Sequence, residues 1–124
     1  TWLRSLMGRY VDFHRITGDA LTHTCQQLKL ACNPERLDLL MQQYLQLPCF
    51  PEVEATLPEL RANRRLAILS NGSPTMLHSV VMHNELQNVL TDVFSVDTVR
   101  MFKPAPQAYQ LAADQLVIPK HEIG

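Results

Sequence analysis

A short polar loop, Ser70-Asn71-Gly72, places a hydroxyl, a carboxamide and a turn-forming glycine directly after the apolar run 66–69. Four apolar residues bounded by a polar turn predict a short buried strand, and Gly72 is expected to turn with a positive φ. Ser73 is a favourable N-cap and Pro74 suits the first helical position, so a helix should begin immediately after the loop. A loop that lies beyond the carboxyl end of a strand, beside free backbone N–H groups, predicts an anion-binding site.

Lys103 lies downstream, in a predicted loop formed by residues 101–104. Taken alone, a lysine in such a loop is usually a surface residue, and Ser-Asn-Gly is a common ordinary turn. By the same reasoning Phe13 is more often a core residue of a helical bundle than a substrate contact. Tyr10 is assigned to packing, and Asp97 is given no chemical role.

Residues that commonly bind metals are not arranged as a metal site. Cys25, Cys32 and Cys49 contain no CxxC pair, and His78 and His83 lie five residues apart, off a common helical face. We therefore expect no metal site. We also expect three reduced cysteines that mainly contribute packing, as in a cytosolic protein.

Composition argues against several classes of function. The 124 residues are 46% hydrophobic and 19% charged, as in ordinary globular domains, and a formal net charge of −1 gives no support to a nucleic-acid or anionic-membrane partner. No apolar run approaches the roughly 18 residues of a transmembrane helix. Thr1 already lies within a helical pattern, so we expect the chain to be a fragment of a longer protein.

The first fifty residues are predicted to form three amphipathic helices, because apolar residues recur at steps of three and four. The first should cover residues 2–14, the second should follow Thr17 as its N-cap, and the third should open at Asn33-Pro34. Residues 48–51, Pro-Cys-Phe-Pro, would then form a stiff linker. Three helices joined by short loops indicate a helical bundle.

The second half changes to an alternation of helices and strands. Helices are predicted at 53–63, 74–83 and 106–116, and strands at 66–69 and 94–96. Pro58 should disturb the first of these helices, Asn63 should end it in the left-handed conformation, and Tyr109 should face inward from the last. The alternation is typical of a parallel α/β sheet. Two strands do not make a stable sheet of this kind, so further strands should lie outside these residues.

Residues 68–74, Ile-Leu-Ser-Asn-Gly-Ser-Pro, followed by Phe102-Lys103-Pro104, resemble the second and third motifs of the haloacid dehalogenase superfamily. Residues 1–7, 9–13 and 95–97 are similar to segments of (S)-2-haloacid dehalogenases, so that the resemblance covers essentially the whole chain. It implies an α/β fold, with a Rossmannoid parallel-sheet core and a helical-bundle cap. Residues 1–50 would be part of the cap, and residues 51–124 part of the core, without its first and later strands.

The resemblance implies that an aspartate displaces halide from C2 of a short (S)-2-haloalkanoic acid, and that water hydrolyses the ester to the (R)-2-hydroxy acid. The aspartate, and an arginine that receives the halide, would lie outside these residues, so the chain alone should be inactive. Ser70 and Asn71 would bind the substrate carboxylate and the leaving halide, and Lys103 would keep the aspartate ionised. Phe13 would be an apolar wall of the pocket. Neither a metal nor an organic cofactor is implied.

Two alternatives remain open on the sequence. A Mg²⁺-dependent phosphatase of the same superfamily would use Ser70 and Lys103 equally well for phosphate, and the second aspartate that distinguishes it lies outside the sequence. A non-catalytic helical binding module predicts that residues 1–50 fold alone, but gives no reason for the pairing of Ser70 with Lys103. A small haloacid as partner, a cytoplasmic location and a homodimeric parent protein complete the expectations.

Overall fold

The computed structural model describes all residues from Thr1 to Gly124. In chain order the elements are α1 (Trp2–Leu6), α2 (Phe13–Gln27), α3 (Pro34–Gln43), α4 (Val53–Arg61), β1 (Ala67–Ser70), α5 (Pro74–His83), β2 (Asp92–Ser95) and α6 (Pro106–Leu116). Short 3₁₀ turns lie at Leu86–Asn88, Val96–Thr98 and Lys120–Glu122. A helical first half followed by alternating helices and strands is the predicted order. No helix combines the length and the apolar character that crossing a membrane requires.

Local capping signals begin α3, α5 and α6 where the sequence predicts. Asn33 Oδ1 accepts a hydrogen bond from the backbone N–H of Arg36 at 2.9 Å, and Ser73 Oγ accepts one from Met76 at 3.4 Å. In each of the three helices a proline occupies the first turn, where its missing N–H removes no helical hydrogen bond. The predicted starts of these helices are therefore confirmed.

The break between α1 and α2 is not where the apolar spacing predicts it. α1 ends at Leu6, and Gly8, with a φ of 64°, carries the chain out of the helix. Asp12 caps α2 by accepting the N–H of Arg15 at 3.0 Å, whereas Thr17 lies inside that helix. The predicted helix over 2–14 and the Thr17 cap were wrong, because a left-handed glycine and an aspartate cap override the apolar periodicity.

Cys25 and Cys32 form a disulfide between the last turns of α2 and the loop before α3, with their Cα atoms 6.2 Å apart. The prediction of three reduced cysteines was wrong for this pair, and only Cys49 is free. Spacing rules based on CxxC miss it because the chain reverses at Lys29, whose φ is 53°, and so brings two cysteines seven positions apart into contact.

β1 and β2 form a parallel pair in which Ala67 lies opposite Asp92 and Ser70 lies opposite Ser95. Both strands are displaced slightly from their predicted bounds, and Val96 already belongs to a 3₁₀ turn. At the amino end Arg65 donates to both carboxylate oxygens of Asp92 at 2.8 and 3.0 Å, and these bonds lower the pKa of Asp92. The register brings the carboxyl ends of both strands to one edge.

α4 passes through Pro58 and ends at Arg61. The proline ring leaves the carbonyl of Glu54 without its helical donor, and because Glu54 is exposed, water can satisfy that carbonyl. Asn63 does not have a positive φ, so the predicted left-handed end was wrong. The chain leaves α4 through hydrogen-bonded turns instead, and Asn63 donates its N–H to the carbonyl of Leu60 at 3.2 Å.

The fully buried core is a small cluster of Val96, Phe102 and Ala108, each 0% exposed. Half-buried side chains from both halves of the chain pack against this cluster: Tyr10, Phe13, Ile16, Leu69 and Val99. The first half is therefore attached to the α/β half through the start of α2. Tyr109 is 50% exposed, so its predicted inward orientation was wrong.

The side chain of Asn84, at the end of α5, holds the segment that joins the two halves. Its Oδ1 accepts the N–H of Cys49 at 2.9 Å, and its Nδ2 donates to the carbonyl of Leu47 at 2.8 Å. Nδ2 also donates to the carbonyl of Val80 at 2.9 Å. One amide thus ties the predicted linker over 48–51 to the end of a core helix.

Replacing Asn84 by alanine in the full-length protein should lower the free energy of unfolding by about 1–3 kcal/mol, because the N–H of Cys49 loses its acceptor. Asn88→Ala is the matched control, since Asn88 is exposed and its side chain makes no hydrogen bond within the chain, and it should change stability by less than about 0.5 kcal/mol. Urea unfolding measures both. Equal effects of the two variants would contradict the anchoring role of Asn84.

Candidate functional site

Two loops meet at the carboxyl edge of the sheet, one after β1 and one after the 3₁₀ turn that follows β2. Asn71 Oδ1 accepts the backbone N–H of Lys103 at 2.8 Å, and Lys103 Nζ donates to the carbonyl of Leu69 at 2.6 Å. The structure therefore brings Ser70, Asn71 and Lys103 together, although more than thirty residues separate the loops in sequence.

The bond to Lys103 fixes the orientation of the Asn71 amide. Because the backbone N–H of Lys103 needs an acceptor, the carbonyl oxygen of the amide must face it, and the NH₂ group must face away. Nδ2 makes no hydrogen bond within the chain. Asn71 thus offers a donor to an incoming group at the edge of the sheet.

The Ser70 hydroxyl accepts the N–H of Gly72 at 3.0 Å. This bond uses an oxygen lone pair, so the hydroxyl proton remains free to donate. Ser95, which is buried at the same edge, donates its hydroxyl to the carbonyl of Gly72 at 2.7 Å and accepts the N–H of Asp97 at 3.2 Å. The peptide groups on both sides of Gly72 are therefore held by serines from neighbouring strands.

Gly72 itself does not have the positive φ that the sequence predicts. A Cβ atom added there would lie 3.1 Å from Leu77 Cδ2 and 3.4 Å from Ser70 Oγ. The position is buried and favours glycine because the first turn of α5 approaches it closely. Space, rather than backbone conformation, explains the residue.

The electrostatics of this edge favour an anion. Lys103 forms no ion pair with a carboxylate of the chain, so its ammonium charge is not neutralised. The amino end of α5 points to the same edge, and helix amino ends carry partial positive charge. No group of three or more His, Cys, Asp or Glu side chains is arranged to hold a metal ion.

Phe13 lies at the first position of α2 and packs, half-buried, against the cluster of Val96, Phe102 and Ala108. This cluster includes Phe102, the residue before Lys103. Unlike the three residues of the two loops, Phe13 belongs to the first half of the chain, and its observed contacts are with the hydrophobic core. Its role as a pocket wall stays a prediction.

Tyr10, Asp97 and Ser5 were not assigned to the site from the sequence, yet Asp97 lies in the segment that leads to Lys103, and Tyr10 and Ser5 bond to that segment. The Tyr10 hydroxyl donates to Asp97 Oδ1, and Ser5 Oγ accepts the backbone N–H of Phe102 at 2.9 Å. Burial, followed by the bond to Asp97, raises the pKa of Tyr10, so the phenol keeps its proton. All three lie in segments that carry the family resemblance, which is the one sequence signal that connects them.

A parallel sheet with Ser, Asn and Lys at its carboxyl edge, and a helical segment packed beside that edge, defines the class of the protein. A family described as haloacid dehalogenase-like hydrolase matches residues 2–123. The chain belongs to the haloacid dehalogenase-like hydrolases. The family resemblance and the fold class expected from the sequence are therefore confirmed.

Within that class the chain is similar to enzymes that act on 2-haloacids. It is 43% identical to haloacetate dehalogenase H-2 of Moraxella sp. (strain B) over 98% of this chain and 55% of that protein. It is 44% identical to an (S)-2-haloacid dehalogenase of Pseudomonas sp. (strain YL) over 99% of this chain and 53% of that protein. The chain thus spans about half the length of these curated relatives.

Solved structures give the same result. The L-2-haloacid dehalogenase of Xanthobacter autotrophicus, with chloropropionic acid covalently bound, superimposes with a TM-score of 0.87 at 41% identity, over 95% of this chain and 48% of that one. Another L-2-haloacid dehalogenase gives a TM-score of 0.91 at 38% identity, over 94% and 54%.

Replacing Gly72 by alanine in the full-length protein should lower stability by about 1–3 kcal/mol, because the new Cβ would crowd Leu77. Gly18→Ala makes the same chemical change in the middle of α2, where the added Cβ would meet only Met41 Sδ, at 3.9 Å. It should raise stability by about 0.5–1 kcal/mol, since alanine is the better helix residue. Thermal and urea unfolding measure both; a stabilising Gly72→Ala would show that the loop has room.

Proposed function

We propose that the protein carrying these residues hydrolyses short-chain (S)-2-haloalkanoic acids to (R)-2-hydroxy acids and releases halide. The observation that carries the proposal is the hydrogen bond between Asn71 and Lys103, which gathers an unneutralised ammonium group, a free amide donor and the Ser70 hydroxyl at one edge of the sheet. The relatives' names, haloacetate dehalogenase and (S)-2-haloacid dehalogenase, support 2-haloacids as the substrate class.

The reaction begins with an aspartate that we place outside the 124 residues. Its carboxylate oxygen bonds to C2 of the substrate while the carbon–halogen bond breaks, and the electron pair leaves with the halide. Water then adds to the aspartyl carbonyl carbon and the bond from that carbon to the ester oxygen breaks. The ester oxygen takes a proton from the water, so that the (R)-2-hydroxy acid leaves and the aspartate carboxylate is regenerated. The chloropropionic acid bound covalently in the Xanthobacter autotrophicus enzyme supports a covalent intermediate of this kind.

Lys103 is the residue that we pair with the aspartate. A cation beside a carboxylate favours its ionised form, and only that form is a nucleophile. The bond from Nζ to the carbonyl of Leu69 holds the ammonium group at the end of β1. Lys103 would orient the nucleophile as well as keep it charged.

Ser70 and Asn71 divide the anionic groups of the substrate between them. The Ser70 hydroxyl and the Asn71 backbone N–H would hold the carboxylate as neutral donors, which leave the charge of the nucleophile unchanged. The free NH₂ group of Asn71 would donate to the halide as negative charge develops on it. Ser70 therefore binds a group that is charged throughout, whereas Asn71 acts on a charge that grows in the transition state.

The division into a partial cap over 1–50 and a partial core over 51–124 belongs to the same proposal. Phe13 would extend from the cap over the substrate, where an apolar wall excludes water and strengthens the electrostatic contacts. A homodimeric whole protein and a cytoplasmic location complete it. Neither a metal nor an organic cofactor takes part.

The direct test is chloride release from (S)-2-chloropropionate by the full-length protein, with and without EDTA. The proposal predicts release that EDTA does not reduce. A parallel assay of phosphate release from p-nitrophenyl phosphate with Mg²⁺ tests the phosphatase alternative. Phosphate release without chloride release would reverse the assignment.

Lys103→Met should lower kcat by about 30- to 1000-fold, which corresponds to about 2–4 kcal/mol of lost transition-state stabilisation, while the protein stays folded. Lys120→Met is the control, because Lys120 is exposed and lies outside the two loops that carry Ser70, Asn71 and Lys103. Steady-state kinetics and circular dichroism measure both variants. A near-wild-type kcat for Lys103→Met would make Lys103 an ordinary surface lysine.

Ser70→Ala should raise KM at least as much as it lowers kcat, since the carboxylate is bound in both ground and transition states. Asn71→Ala should act mainly on kcat, and differently for chloro and bromo substrates, because chloride is the poorer leaving group. The double mutant shows whether the two side chains act together. Unchanged kinetics in both single mutants would reduce the loop to a structural turn.

A further inference from the structure

We propose that Tyr10 is a positioning residue for Lys103, and that it acts through its hydrogen bond to Asp97. The inference rests on the proposed role of Lys103. It concerns residues 96–103, here called the lysine loop, which run from the end of β2 to Lys103. The first half of the chain fixes this loop at two points.

The two fixed points are hydrogen bonds from residues far away in sequence. The Tyr10 hydroxyl donates to Asp97 Oδ1 at the start of the lysine loop. Ser5 Oγ accepts the backbone N–H of Phe102 near its end, at 2.9 Å, and Ser5 is 7% exposed. The bond to Ser5 is buried, whereas the bond between Tyr10 and Asp97 is partly buried.

Aromatic packing links Tyr10 to the end of the loop as well. The ring of Tyr10 lies 4.8 Å from the ring of Phe102, measured between centroids, with 31° between their planes. Phe102 is fully buried, so its ring has little freedom to move independently of Tyr10. The Arg100 guanidinium lies 5.4 Å from the centroid of the Tyr10 ring and adds a cation–π contact.

Because Lys103 directly follows Phe102, the contacts that hold Phe102 also restrict the position of Lys103. Successive backbone N–H groups are held by different parts of the chain, that of Phe102 by Ser5 and that of Lys103 by Asn71. Release of Asp97 from Tyr10 would remove one of the contacts that hold the start of the loop and leave the bond from the N–H of Asp97 to Ser95 Oγ, while the Asn71 bond would still hold its end. The ammonium group would then sample positions away from the nucleophile. The expected defect is therefore one of geometry at Lys103, without loss of substrate contacts.

Tyr10→Phe removes only the hydroxyl donor, and Asp97→Ala removes its acceptor. Tyr44→Phe is the control, because Tyr44 is partly exposed at the end of α3 and makes no side-chain hydrogen bond. In the full-length protein we expect Tyr10→Phe and Asp97→Ala to lower kcat for (S)-2-chloropropionate by about 10-fold and to change KM by less than about 2-fold. Tyr44→Phe should change neither.

A double mutant tests whether Tyr10 acts through Lys103. In a Lys103→Met background, Tyr10→Phe should lower kcat by less than about 2-fold, because the group that it positions is absent. A further loss of about 10-fold in that background would show that Tyr10 acts independently of Lys103. That result would overturn the proposal.

A readout that needs no turnover separates this proposal from the dehalogenase assignment. This readout is the rate at which acetic anhydride acetylates the Lys103 amine, measured by mass spectrometry of the folded full-length protein. The rate should rise at least about 3-fold in Tyr10→Phe and stay unchanged in Tyr44→Phe. Faster acetylation in a protein that releases no halide would support the positioning and reject the dehalogenase assignment. An unchanged acetylation rate in both Tyr10→Phe and Asp97→Ala would overturn the positioning role.

Discussion

The contact on which the site depends is the hydrogen bond from the backbone N–H of Lys103 to Asn71 Oδ1. It joins the loop after β1 to the loop that follows β2, and it sets the orientation of the Asn71 amide. A backbone donor has one preferred direction, so the bond fixes both partners more strictly than a contact between two flexible side chains would. Contacts within the chain therefore hold the two loops at the edge of the sheet in a fixed arrangement.

The same residues serve stability and site geometry. Phe102 is fully buried, and the neighbouring Lys103 holds the carbonyl of Leu69 at the end of β1. In a close-packed interior a small shift of one ring is transmitted to its neighbours, so changes in the core at Phe102 reach the ammonium group. Tyr10 and Phe13 extend this core into the helical half of the chain. The small buried cluster lies beside the edge of the sheet that carries Ser70, Asn71 and Lys103.

Sequence reasoning succeeded where a signal and its effect are neighbours in the chain. The cap at Ser73 and the proline at the start of α6 give correct boundaries because each acts within one helical turn. It failed at Gly72, where the constraint is the approach of a side chain from α5, and at Tyr10, whose partner is 87 positions away. Three of the four predicted site residues meet because parallel strands bring their carboxyl ends to one edge. Their finer contacts depend on tertiary packing that no local pattern encodes.

The hydrogen bonds between Asn84 and the linker have a consequence for how the sequences of such chains can change. All of its hydrogen bonds are made to main-chain atoms, those of Leu47, Cys49 and Val80. Hydrogen bonds to main-chain atoms do not depend on which side chains the linker carries. The linker sequence can therefore change while the geometry of these contacts is kept. Helical segments of different sequence could be exchanged in front of one unchanged α/β half, provided that they keep the contacts that Ser5, Tyr10 and Phe13 make with that half and that the receiving half keeps Asn84. The hydrogen bonds of Asn84 would then connect two parts of the chain whose sequences change at different rates.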